Sequence, residues 1–147
     1  MGIRVQSKTN WKAQSDKLQK AAEAGLKLGL ERIVADLKNN FAAGKGSDGS
    51  SLKGYAKGKD GKLGSYAKKR LREGRQIGFV DFTWTRGLLR SIASRVDQRG
   101  KKLIGSVFTP SHANVVDGLS KDRPNAFKLT KKMMEVVSKF IKAERIK

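Results

Sequence analysis

The chain has no cysteine, a single histidine, two prolines and few aromatic residues. Without cysteine there is neither a disulfide framework nor a thiolate metal site. The one imidazole, His112, has no cluster of carboxylates around it, which argues against a zinc or two-histidine iron centre. No apolar run approaches the roughly twenty residues that span a bilayer, and no charged-then-apolar leader precedes a cleavage site. The start, Met1-Gly2-Ile3-Arg4-Val5-Gln6, misses a myristoylation signal because Gln6 stands where Ser or Thr is required. These absences read as one soluble domain, residues 1–147, made in a reducing compartment. Acidic residues are also scarce: 13 Asp and Glu stand against 33 Lys and Arg, a formal net charge of +20. So large an excess repels itself unless a polyanion or an acidic partner offsets it.

Catalytic arrangements are missing as well. His112 has Ser111 beside it and Asp117 five residues on, but no nucleophile sits in a glycine elbow, so a hydrolase triad has no basis. The carboxylates are scattered, without a close pair for acid and base work. Gly54-Tyr-Ala-Lys-Gly58-Lys59-Asp60 has three residues rather than four between its glycines, Asp where a phosphate loop needs Ser or Thr, and a helix before it instead of a strand. No enzymatic activity, cofactor or metal is expected.

What remains is pattern. From Asn10 to Phe41 the residues Trp11, Leu18, Ala22, Leu26, Leu30, Ile33, Leu37 and Phe41 recur at helical spacing, with Thr9 or Asn10 as cap and Gly44 as stop. At about 1.5 Å per residue this helix runs to about 45 Å, longer than a compact domain of this size needs. It is expected to kink near Gly25 or Gly29, or to pack part of its stripe on another chain. A second stripe, Met133, Val136, Val137, Phe140 and Ile141, opens at Thr130.

Between these helices the period falls to two. Val80, Phe82 and Trp84 alternate with Asp81 and Thr83, and a hairpin is predicted from about Ile92 to Thr109 with its turn at Asp97–Lys102 and Gly100 for a positive φ. Ser65 to Gly74 reads as a short basic helix. The fold class is therefore α+β: a long N-terminal helix, a glycine-rich arm, a small antiparallel sheet with a hairpin, and a C-terminal helix.

The arm, residues 44–64, is dense in glycine and lysine with Leu52 and Tyr55 set alone inside it. The basic excess peaks there and just beyond, and Lys57, Lys59, Lys62, Lys68, Lys69 and Arg70 are the candidate contacts to DNA or to an acidic partner. Only Tyr55 and Tyr66 lie among lysines, and no helix-turn-helix, RNA-recognition or zinc-finger signature is present, so backbone contact is expected rather than sequence readout.

Three stretches carry a family resemblance. They are "DGSSLKGYAK" (Asp48 to Lys57), "WTRGLLRSI" (Trp84 to Ile92) with Thr85, Leu88, Ser91 and Ile92 in signature positions, and "HANVVDGLSKDRPNAF" (His112 to Phe127). In this order, over residues 40–140, they resemble the tail-completion and head-tail joining proteins of tailed bacteriophages. The chain departs from that pattern at Arg86, which takes the signature glycine's place, at His112 for tyrosine, at Asp117 for glutamate, and at Asn125-Ala126, which separate Pro124 from Phe127.

The resemblance implies a virion protein, made in the host cytoplasm, that forms a homo-oligomeric ring in the neck. Its partners would be copies of itself, adjacent neck, portal or connector and tail proteins, and non-specifically the double-stranded genome in the channel, with no membrane. It also implies that the arm becomes ordered when a neighbouring subunit buries Leu52 and Tyr55. The alternative is a basic accessory protein that binds DNA or RNA without sequence preference and without a ring.

Overall fold

The computed structural model describes residues 11–52, 54–55, 57–78, 87–100, 102–110 and 128–146. Among them the order is α1 (Trp11–Ala42), α2 (Ser65–Arg72), α3 (Gly87–Ser91), β1 (Ala93–Arg99), β2 (Lys102–Phe108) and α4 (Lys131–Ile146), an α+β fold. The expected strand at Val80–Trp84, the signature Thr85, and the stretch from His112 to Phe127 lie outside the described residues.

Helix α1 is continuous for 32 residues. Its stripe is buried at Leu30, Ile33, Leu37 and Phe41, and Ile92 completes the central cluster, with Val34, Leu89, Met133 and Val137 packed around it. Both interior glycines have a purpose other than a break in the helix. A Cβ at Gly25 would stand 2.5 Å from the Ile141 Cα, and one at Gly29 would stand 2.8 Å from the Val137 Cα. The absent side chains let α4 lie backbone against backbone on α1, running antiparallel to it. Residues 13–18 are all exposed, so the first turns of α1 reach past the end of α4. The helix stops at Gly44, whose φ is 70°, with the Lys45 amide donating to the Asn40 carbonyl and the Gly44 amide to the Phe41 carbonyl. At the start of α4 the Met133 amide donates to the Thr130 hydroxyl at 3.2 Å, as its capping role requires.

Strands β1 and β2 form an antiparallel hairpin in which Val96 pairs with Gly105 and Ser94 with Val107. Gly105 lies against Leu26 and Leu30 of α1, which fixes the inward face of the sheet. On the other face Arg95 pairs with Asp97 at 2.9 Å and lies over the Phe108 ring. Helix α3 leads into β1 with Leu88 and Ile92 buried, and the Ser91 hydroxyl donates back to the Leu88 carbonyl.

Candidate functional site: a duplicated turn and a basic helix

The glycine-rich segment is organised by side chains that its composition conceals. Lys45-Gly46-Ser47-Asp48-Gly49-Ser50-Ser51-Leu52 and Lys57-Gly58-Lys59-Asp60-Gly61-Lys62-Leu63 are two copies of one unit, and each continues three residues after its leucine into Tyr-Ala, at Tyr55-Ala56 and Tyr66-Ala67. Their backbone bridges and turn hydrogen bonds correspond. Lys45 bridges Ser51, and Lys57 bridges Leu63. The Gly46 amide donates to Ser50 and the Gly49 amide to Gly46; in the second copy Gly58 donates to Lys62 and Gly61 to Gly58. Asp48 accepts from the Ser50 amide at 2.9 Å, and Asp60 accepts from the Lys62 amide at 3.1 Å. Gly49 and Gly61 hold φ angles of 81° and 72°, in the left-handed region that a side chain would strain.

The surroundings of the two copies differ. In the first, Ser47 is buried and its hydroxyl donates to the Lys128 carbonyl, 81 positions along the chain, while Leu52 is only 4% exposed. Leu52 is thus buried by its own chain, which corrects the expectation that a neighbouring subunit must cover it: the first turn is docked on the body by a hydrogen bond and an apolar anchor. The second copy is exposed throughout Lys57–Lys62. Tyr55, half-buried, is likewise engaged within the chain, its ring centroid 5.6 Å from that of Tyr66.

Arg70 requires a second correction. It was expected among the outward cations, yet it is 1% exposed. Its Nε donates to the Gln76 carbonyl at 3.1 Å, and its guanidinium lies 5.3 Å from the Tyr55 ring centroid. The reason is helical phase. Ala67 and Arg70 are the buried residues of α2, so Lys68, Lys69 and Arg72 fall on the opposite face. Arg70 ties the helix to Tyr55 and to the backbone at Gln76, and Lys57, Lys59, Lys62, Lys68 and Lys69 are exposed.

Electrostatics follow from the same bonds. Asp48 is held below the ordinary aspartate range, first by the Ser50 hydroxyl and then by the Ser50 amide. Lys62 stands 3.6 Å from Asp60 with its side chain three-quarters exposed, a weak surface pair.

An apolar pocket of about 480 Å³ opens between α1, the hairpin and residues 128–129, lined by Leu37, Phe41, Ile92, Val107 and Met133 among others. Among the described residues that line it, none is a carboxylate or an imidazole. Among the described residues no group of three His, Asp or Glu is placed to hold a metal, and no helix is long and apolar enough to cross a membrane.

Comparison with known proteins returns nothing: no family model matches the chain, and no curated protein and no solved structure is similar to it.

Proposed function

We propose that this chain is a structural, non-enzymatic subunit of the neck of a tailed phage, assembling as a ring between portal or connector and tail. The observation that carries this reading is the placement of Leu88 and Ile92. The stretch resembling the family's signature turns its two apolar positions into the core at the entry to the hairpin, with Ser91 closing the turn. The uncovered first turns of α1 and the exposed second turn supply surfaces that a neighbouring subunit, or the adjacent portal and tail proteins, can use.

The test is genetic and visual. Deleting the chain from the phage genome that encodes it is expected to leave filled heads and finished tails that do not join, restored by the chain supplied in trans. Normal, infective particles from the deletion would overturn the reading. In that event the second reading, a basic accessory protein on nucleic acid, takes its place, because the three cations on the outer face of α2, Lys68, Lys69 and Arg72, do not depend on a ring.

A further inference from the structure

The two copies of the turn share a backbone but not a surface. At the positions where the first has Ser47 and Ser50, the second has Lys59 and Lys62. The first copy is fixed to the body by Ser47 and Leu52, while the second is exposed and runs through Leu63 directly into α2, whose outer face is Lys68, Lys69 and Arg72. We propose that the second turn, with the outer face of α2, is a docking surface for the phosphate backbone of duplex nucleic acid, and that the first turn is its anchor.

The chemistry selects this occupant over others. A single-strand site needs successive rings on which bases stack, but among the described residues beside these lysines Tyr66 alone has a ring that is exposed, and Tyr55 is half-buried between it and Arg70. A protein partner calls for a desolvated apolar centre from which lysine is depleted, whereas the turn from Lys57 to Lys62 contains lysine, glycine and one aspartate alone. Lysines are flexible point charges suited to phosphate without base readout, and Gly61, with no described residue within 4 Å of where its Cβ would stand, lets the backbone of the turn approach a strand closely. Asp60 offsets part of the charge through its weak 3.6 Å pair with Lys62, and it leaves the turn net positive. Its Oδ1 is held by the Lys62 amide, so it shapes the turn that presents the cations.

This proposal deepens the DNA contact of the neck reading and rests on it only for the source of the duplex. Its failure and that of the neck reading are separable, since one is read in the isolated chain and the other in particles.

The first copy supplies the test. Because Ser47 and Ser50 already occupy the same turn, the double variant K59S/K62S should keep the fold. A control that removes two charges elsewhere, K45S/K132S, matches it in net charge. Binding of the full chain to a mixed-sequence 20-base-pair duplex is followed by fluorescence anisotropy between 50 and 200 mM NaCl. Each phosphate contact contributes about 0.9 to the slope of log affinity against log salt, so K59S/K62S should flatten that slope by about 1.8 and weaken binding at 100 mM about 10- to 60-fold. The control should leave the slope within about 0.5 of the parent's. Equal losses in both variants would mean a diffuse charge effect and overturn the site. So would an unchanged slope in K59S/K62S. Poly-glutamate of equal charge binding as tightly, with the same dependence on Lys59 and Lys62, would replace the duplex by an acidic protein surface.

Discussion

Arg70 carries a full charge into a site that is 1% exposed, and it does so to hold two segments together. Truncation would remove the hydrogen bond to the Gln76 carbonyl and open a cavity beside Tyr55. Arg70→Ala is therefore expected to lower unfolding stability by about 2–4 kcal/mol in urea melts. Lys69→Ala, on the outer face of the same helix, should change it by less than about 0.5 kcal/mol. Equal effects would mean that Arg70 is not a structural pin. Asp48 makes a second expectation at this scale. Its folded pKa is depressed by Ser50, so the carboxylate's contribution is present above the unfolded value of about 3.9 and is lost as pH falls through the folded value. A carboxyl-carbon NMR titration should show Asp48 titrating below ordinary aspartate, and Ser50→Ala should move it back up; no movement would remove the hydroxyl as the cause. The sequence made the exposed lysines legible, because lysine at a glycine-rich turn has few places to go. Arg70 was not legible, since α2 has only one small apolar residue on its buried side and nothing in the chain names the ring that receives the guanidinium.

At the scale of elements, the α1–α4 pair depends on two missing side chains. A methyl group at Gly25 would meet the backbone of α4 at Ile141 and the carbonyl of Phe140, neither of which is a flexible side-chain end. Alanine favours an isolated helix by about 1 kcal/mol over glycine, but here the helices must separate to admit it. Gly25→Ala is expected to cost a net 1–3 kcal/mol or so, as overpacked sites do. Gly78→Ala, with nothing within 4 Å of the added carbon, should be close to neutral. A Gly25→Ala protein as stable as its parent would show that the helices are not in such close contact.

The two long helices and the hairpin could be read from period and their ends at Thr130 and Gly44 from residue type, but α3, a single short helix at Gly87–Ser91, is not among the expected elements. The meaning of Gly25 and Gly29 could not be read, because a helix broken at a glycine and a helix packed through one look the same in sequence. The duplicated turn had a legible signal, Lys-Gly-x-Asp-Gly followed by Leu and Tyr-Ala. The extra Ser51 in the first copy breaks the constant period, so the repeat passes for a low-complexity spacer.

The whole molecule carries +20 in 147 residues, and the ion pairs among the described residues do little to offset that. Arg32–Asp36, Lys62–Asp60, Arg75–Glu73 and Arg95–Asp97 each join residues two or four apart on the surface, and such pairs contribute about 0–1 kcal/mol apiece and weaken with salt. Against them stands the repulsion among all the remaining cations, which acts over distances set by the Debye length, about 30 Å at 0.01 M salt and about 8 Å at 0.15 M. At low salt every lysine of the second turn feels those of α2 and of the body; at physiological salt only neighbours do. Screening therefore removes more repulsion than attraction, and stability should rise with salt. Between 0.01 and 0.15 M NaCl the gain is expected to be about 1 kcal/mol, or about 3 °C in Tm for a chain of this size. The K59S/K62S variant should gain less, because part of the repulsion is already gone. A Tm that stays flat or falls over this range would mean that the cations are spaced too widely to form a concentrated surface, and the charge would then be a property of the composition alone.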